Sequence, residues 1–466
     1  MSKTIFILFY FIIVTLLISD TNEFSIKMIP INSPHLKIIP SNLTIHQHHQ
    51  LLANISMSRV LKYRNDSNGL GLNQIKSTVY AQKTSYYVTQ VHLEQGRSPQ
   101  GISIYSTYLL LDTACFDTWL QCDGCNPCIE VAGSNFNQSK SASFRGVAAD
   151  DIICLLTSGF DVNGVCGYTS YYAGMKSRTT GILGRNTFYF MNPRTNSFET
   201  YPNYVFGCGL RNENFVFGEN KGPRNLIAGI FGLAVGPRSF ITQLEAYTRS
   251  RFAYCLPLAT PEGVAESTLY FGSDAQISGD GMTTRVQRIS MFTKRVYHLY
   301  LIGISVDGNR VQINPSIFTL DEIGLTRGFF IDSGTPYTTL ARSAYNPLRS
   351  AMVKYFLDNY GWKPKKPTPE NVLDLCYRFY PKEGQSFPKV TFHFFLMNHP
   401  MEVDMELKPS NVFAAVEGGF CMMIISTNDP GPSIFGAFQQ SNIKFLFDVK
   451  NNYLYFVPED CLEDVN

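Results

Sequence analysis

From Tyr86 onward the chain alternates short runs rich in Val, Ile, Tyr, Phe and Thr with clusters of Gly, Pro, Asn and Asp. Runs of that kind bounded by turn residues predict many short β-strands. Two segments break the pattern. Tyr345, Leu348, Met352 and Phe356 recur at helical spacing between Ser343, a candidate N-cap, and Gly361, so a helix is predicted from Ser343 to about Tyr360. A shorter helix is predicted from Ser239 to Tyr247. Otherwise the pattern reads as all-β.

The start of the chain is different. A single Lys3 precedes the apolar run Ile5 to Val14, followed by Leu16, Leu17 and Ile18. This predicts a secretory signal peptide over residues 1–19. A transmembrane anchor is the other reading, but the stretch falls short of the roughly 20 residues that span a bilayer. Residues 20–77 are polar, include His46, His48 and His49, and end in Asn65-Asp-Ser-Asn-Gly-Leu-Gly-Leu, a linker-like run. They are expected to be a removable or loosely attached pro-segment.

The β-rich part repeats itself weakly. Tyr108-Leu-Leu-Leu leads into Asp112-Thr113-Ala114-Cys115, and Gly328-Phe-Phe-Ile leads into Asp332-Ser333-Gly334-Thr335. A later apolar-apolar-Gly run follows each, Ile230-Phe231-Gly232 and Ile434-Phe435-Gly436. The chain therefore reads as two related lobes, 78–260 and 261–466, each presenting one carboxylate at a strand end.

Composition narrows the partners. The 466 residues carry 39 Lys+Arg against 37 Asp+Glu, a net charge of +2 that offers nucleic acid or an anionic membrane no concentrated positive field. Eleven cysteines in an exported chain are expected to pair mostly as disulfides, with the odd count leaving at least one thiol over. Cys122, Cys125 and Cys128 have a spacing that also suits part of a zinc or iron–sulfur site. The scattered His residues and the oxidising compartment favour disulfide staples instead. Four sequons, at Asn42, Asn54, Asn65 and Asn137, agree with export.

Two Asp residues on strand-to-loop turns, each beside small hydroxyl residues, suit a non-covalent hydrolysis of amides. Two facing carboxylates cannot both ionise at moderately acid pH and so share a proton. The ionised member then takes a proton from water while the protonated member polarises the substrate carbonyl.

With these motifs in place the sequence resembles the pepsin-like aspartic proteases, and within them the plant nepenthesin-like group. The likeness runs through Glu23-Phe-Ser-Ile-Lys-Met-Ile-Pro-Ile-Asn-Ser-Pro, Asp117-Thr-Trp119-Leu-Gln-Cys122, Phe206-Gly-Cys208-Gly, Ala228-Gly-Ile-Phe-Gly-Leu, Phe252-Ala-Tyr-Cys255-Leu, Gly303-Ile-Ser-Val-Asp-Gly and Ile434-Phe-Gly-Ala-Phe-Gln-Gln-Ser-Asn. It implies a bilobal all-β fold with few short helices and a central cleft that takes an extended peptide or protein substrate. Asp112 and Asp332 would be catalytic, supported by Thr113, Ala114, Cys115, Ser333, Gly334 and Thr335. A β-hairpin flap would close over them. Counting from Cys166-Gly-Tyr168 gives Tyr172 as the flap tyrosine. Counting back from Gly181 gives Ala173, so the flap carries an insertion and Tyr171 stays open. Trp119 lies where the family's tryptophan hydrogen-bonds that tyrosine. No metal, no organic cofactor, no nucleic-acid partner and no membrane association after signal cleavage are expected, and the chain is expected to be a secreted monomer, extracellular or vacuolar.

Three departures qualify the expected activity. The family's first site has Gly where this chain has Ala114, so a β-carbon threatens the tight turn. Cys115 replaces a hydroxyl with a weakly hydrogen-bonding thiol. The flap tip Tyr172-Ala173-Gly174-Met175-Lys176 is bulkier than usual, and only Cys154 and Cys166 precede it. The expectation is an acid endopeptidase of reduced activity, the alternative a silent binding or inhibitor protein on the same fold.

Overall fold

The computed structural model describes residues 25–30, 44–66, 87–99, 101–172, 177–192, 197–215, 225–258, 267–277, 287–293, 296–320, 327–367, 372–396, 401–427 and 431–461. The expected signal peptide, the 67–86 junction and the flap tip 173–176 lie outside these residues.

The internal repeat seen in the sequence is a structural repeat. Strand Gly101–Asp112 runs parallel to Ile227–Gly232, with Asp112 opposite Gly232, and Trp119–Gln121 pairs antiparallel to the same strand. In the second half Phe329–Asp332 runs parallel to Ser433–Gly436, with Asp332 opposite Gly436, and Thr339 pairs antiparallel to Ile434. The Gly232 amide donates to Thr118 Oγ1 (3.3 Å) and the Gly436 amide to Thr338 Oγ1 (3.1 Å). Each Asp loop thus folds back across a glycine. A Cβ on Gly232 would lie 2.6 Å from the Cys115 carbonyl oxygen, and one on Gly436 would lie 2.4 Å from the Tyr337 carbonyl carbon. Only a missing side chain lets the loop come so close.

Antiparallel strands join the halves. Gln287–Thr293, Tyr453–Pro458, Ile443–Asp448, Arg251–Cys255 and Ser267–Phe271 pair in succession. The next strand is Ser25–Pro30, with Met28 opposite both Ser267 and Thr89, so it lies between Ser267–Phe271 and Tyr87–Ser98. Phe252 stacks on Phe447 at 4.3 Å between ring centroids, in a core that includes Met28, Tyr254, Tyr297 and Phe445. Two smaller sheets, of four and three strands, cover the second half.

The helix expected at 343–360 spans Arg342–Tyr360 and buries Tyr345, Leu348, Met352 and Phe356. Its N-cap is Ala341, which makes no side-chain cap bond, because Ser343 already lies inside the first turn. The shorter helix is interrupted: Ser239 caps Phe240–Gln243, and a second turn, Glu245–Thr248, follows. The segment expected to be loosely attached departs furthest from its expectation. Residues 25–30 are a strand inside the sheet and Ile45–Asp66 is a helix burying Leu52, Ala53, Ile55, Ser56, Arg59 and Val60. Among the described residues no helix is long and apolar enough to cross a membrane.

Ten cysteines pair, as Cys122–Cys208, Cys125–Cys128, Cys154–Cys166, Cys255–Cys461 and Cys376–Cys421, and the thiol left over is Cys115. All three thiols of the metal-like spacing are oxidised.

The glycine-backed loop yields a test. Gly436→Ala should lower stability by about 3 kcal/mol, since backbone atoms and not a flexible side chain receive the new methyl. A urea unfolding midpoint equal to that of the unsubstituted chain would show that the loop has slack.

Candidate active site

Asp112 and Asp332 close their strands fully buried. In each, Oδ1 accepts the amide two residues on, Ala114 N at 2.9 Å and Gly334 N at 2.7 Å. The loops are then clamped to each other. The Ser333 amide donates to Thr113 Oγ1 (2.9 Å), the Thr113 amide donates to Ser333 Oγ (3.2 Å), and Ser333 Oγ donates to the Leu111 carbonyl (3.2 Å). A Cβ on Gly334 would stand 2.9 Å from Asp112 Cγ, which measures how closely the second loop approaches the first carboxylate.

Ala114 is accommodated. Its amide keeps the bond to Asp112, it is not among the residues with positive φ, and it packs with Val60, Val296, Phe330 and Ile434. The strain expected from its β-carbon is therefore not realised.

The hydroxyl positions differ between the two loops. Thr335 Oγ1 donates to Asp332 Oδ2 at 2.6 Å. The corresponding Cys115 Sγ lies 3.6 Å from the Asp117 carbonyl and 3.6 Å from Tyr172 Oη. Burial raises the Asp332 pKa and the neighbouring Asp112 charge raises it further, against the opposing pull of Arg59, Thr335 and the Gly334 amide.

Of the two candidate flap tyrosines, Tyr172 points inward at 5% exposed and Tyr171 lies 39% exposed. Tyr172 ends the strand Val165–Tyr172, opposite Ser177 of Ser177–Asn192, and burial holds its phenol well above the usual range. Trp119 meets it ring to ring at 6.2 Å between centroids. The expected hydrogen bond between them is not formed: among the described residues the buried Trp119 Nε1 has no hydrogen-bond partner. Phe215 packs against both rings, 5.0 Å from Trp119 and 5.5 Å from Tyr172.

A cation on the dyad was not expected from the sequence. Arg59, on the 45–66 helix, donates through Nη2 to Asp112 Oδ2 at 2.5 Å and through Nε to the Gly334 carbonyl at 3.2 Å, with Nε 4.0 Å from Asp332 Oδ2. Its side chain is 7% exposed. The helix is fixed beside it by Ser56 Oγ, which accepts the Tyr337 amide (2.7 Å), by His49 Nδ1 against Tyr337 Oη (2.5 Å), and by Gln50 Oε1, which accepts the Val372 amide (2.8 Å). The legible signal was Leu52, Ile55, Ser56, Arg59 and Val60 at helical spacing, a cation within a face that is otherwise uncharged.

The His/Cys/Asp/Glu group that comes together among the described residues with ligand-like spacing is His393, Glu402 and Asp404, on the four-stranded sheet. His393 already bonds Ser305 and Asp404, Glu402 pairs with Arg310, and none of them is a dyad residue.

Known proteins share this arrangement of strands. Family models described as the xylanase inhibitor N-terminal and C-terminal domains match residues 87–273 and 296–458. Aspartic proteinase nepenthesin-1 of Nepenthes gracilis is 30% identical over 395 residues, covering 84% of this chain and 81% of its own length. Nepenthesin-2 of the same plant is 31% identical over 394 residues, 82% of this chain and 81% of its own. Among solved structures, edgp superposes with a TM-score of 0.64 at 17% identity, over 82% of this chain and 94% of that one. Basic 7S globulin from soybean gives 0.62 at 17% identity, over 82% and 96%.

Because Ala114 fits its turn and packs its methyl, Ala114→Gly should destabilise the chain by about 1 kcal/mol. A rise in the thermal midpoint would instead reveal strain at this turn.

Proposed function

This chain belongs to the pepsin-like aspartic proteases, in their plant nepenthesin-like group, and from that premise we propose that it is an acid endopeptidase made as a self-blocked precursor. The observation that carries the reading is the pair Asp112 and Asp332, each oriented by a backbone amide and each on a loop clamped to the other. With the cleft open, Asp332, raised by burial and by its neighbour, holds the shared proton and hydrogen-bonds the scissile carbonyl oxygen. Ionised Asp112 takes a proton from water as its oxygen adds to the carbonyl carbon, and returns that proton to the departing amine. The peptide is extended and apolar beside the scissile bond, the lobes divide near residue 260, and the protein acts as a secreted monomer, extracellular or vacuolar.

The 45–66 helix supplies the block. Arg59 stands where a water would have to be activated, and its charge does not titrate in the working range. Acid weakens the dock through His49. His49, buried between Tyr337 and the Ala415 backbone with His46 one turn earlier, is pushed down to about 4 from 6.5, by burial first. The docked form therefore binds fewer protons than the released form. Docking is at full strength above pH 6.5, weakens as pH falls towards 4, and is on the order of a hundredfold weaker there.

A second reading, a binding protein on the same fold, is favoured by the thiol at position 115 and by the description of the matching family models. Peptide cleavage between pH 2 and 7 after acid treatment separates the two. The endopeptidase should cut without added metal and lose at least 10³-fold in rate in Asp332→Asn, about the scale for losing one member of an acid–base pair. Tight binding of a protein with no cleavage at any pH would leave the second reading standing.

The block has its own test. Arg59→Gln should let a statine-type transition-state analogue bind at pH 7, where the unsubstituted precursor resists it, and His49→Gln should move the pH of release downward. An acid-treated product left uncut between residues 66 and 87 would overturn the precursor reading.

A further inference from the structure

The flap tyrosine needs to be held at a fixed height over the dyad, and the tryptophan bond expected to do so is absent. Two residues before Tyr172, on the same face of the flap strand, Ser170 Oγ donates to Asp117 Oδ2 at 2.6 Å. Asp117 lies on the loop that follows Asp112, with its carbonyl against Gly232. Its carboxylate is gripped from the other side by Arg238, through Nε to Oδ1 at 2.8 Å and Nη2 to Oδ2 at 2.7 Å. The two side chains are 8% and 6% exposed. The Arg238 guanidinium also lies over two rings, Phe116 of the dyad loop at 5.7 Å and Tyr168 of the flap strand at 5.6 Å. One ion pair therefore touches the dyad loop, the flap strand and the segment leading into the Phe240–Gln243 helix.

We propose that Asp117 and Arg238 moor the flap, and that through Ser170 they act as positioning residues that set Tyr172 over the dyad. This rests on the endopeptidase reading for its catalytic meaning, and on geometry alone for the mooring. A buried ion pair is a poor source of net stability, because desolvating both charges offsets most of their attraction. What it provides is direction. A two-pronged grip fixes the carboxylate plane, and the fixed plane leaves one lone pair aimed at the flap strand. The adjacent thiol could not do this, since Cys115 reaches Tyr172 only at 3.6 Å through a weakly hydrogen-bonding sulfur. Phe116 and Tyr168 shield the pair from water, so the Ser170 bond is made in a poorly solvated place where it counts for more.

Ser170→Ala removes the mooring and leaves the Asp117–Arg238 pair intact, so the variant should fold. On the acid-treated chain, amide hydrogen exchange of residues 165–172 should speed up while the Asp112 and Asp332 loops stay protected. KM for a peptide substrate should rise about tenfold with kcat within twofold, because the open flap lowers the fraction of enzyme ready to bind. Ser170→Thr, which keeps the hydroxyl, should restore both readouts. Unchanged exchange in the flap strand overturns the mooring whatever the activity. Faster exchange with unchanged KM overturns the positioning role, and so does an equal fall in kcat and in unfolding midpoint, which a merely structural serine would give. If the unsubstituted chain cleaves nothing, the endopeptidase reading has failed, and the exchange measurement alone decides the mooring.

Discussion

Two carboxylates buried at the ends of strands whose loops are clamped together repel each other and have both left water. Around Asp112 and Asp332 the fold is arranged to make that tolerable. Backbone amides at 2.9 and 2.7 Å orient one oxygen of each, the Thr113 and Ser333 hydroxyls tie the loops across the gap, and glycines behind each loop let the backbone close in. In the described state the remaining negative charge meets Arg59. Remove one of the bonds within the loops and the cost of desolvation is no longer balanced, whereas the loss of Arg59 is offset once the pair holds a shared proton.

The two halves answer this constraint unequally. In the second, Thr335 gives Asp332 a hydroxyl bond. In the first, the equivalent position is a thiol that faces the flap, and the outer oxygen of Asp112 is bonded by the helix cation. The duplicated motif has thus been divided between a carboxylate supplied by its own loop and one whose partner arrives from elsewhere in the chain. The strand repeat is nearly symmetric in register, while its chemistry is not.

How much of this the sequence discloses depends on the range of the interaction. Tyr345, Leu348, Met352 and Phe356 declare a helix because their period is local. The pairing of Asp112 with Asp332 is legible because both sites carry the same apolar lead-in and the same later glycine run. The cap lies at Ala341, two residues before Ser343, since a serine within the first turn looks the same in sequence as one at the boundary. The 45–66 helix was missed because its buried face includes Ser56 and Arg59, whose partners, Tyr337 and Asp112, are remote in sequence. For the same reason Arg59 is not legible as a partner of the dyad from the sequence. Trp119 meets its expected neighbour without the expected bond, the two rings packing together with Phe215 in an aromatic cluster.

The Ser25–Pro30 strand and the 45–66 helix belong to one stretch of chain yet are attached by forces of different kinds. The helix is held partly by groups that titrate. The strand is held by a backbone ladder on both edges and by Met28 in the core, neither of which senses protons. On the precursor reading proposed above, acid would evict the helix and leave the strand seated. A cut between them would turn the strand into a separate peptide trapped in the sheet, and losing it would bare two unpaired edges, a template for aggregation. If the proposed precursor is cut there, its natural end point is a molecule of two chains.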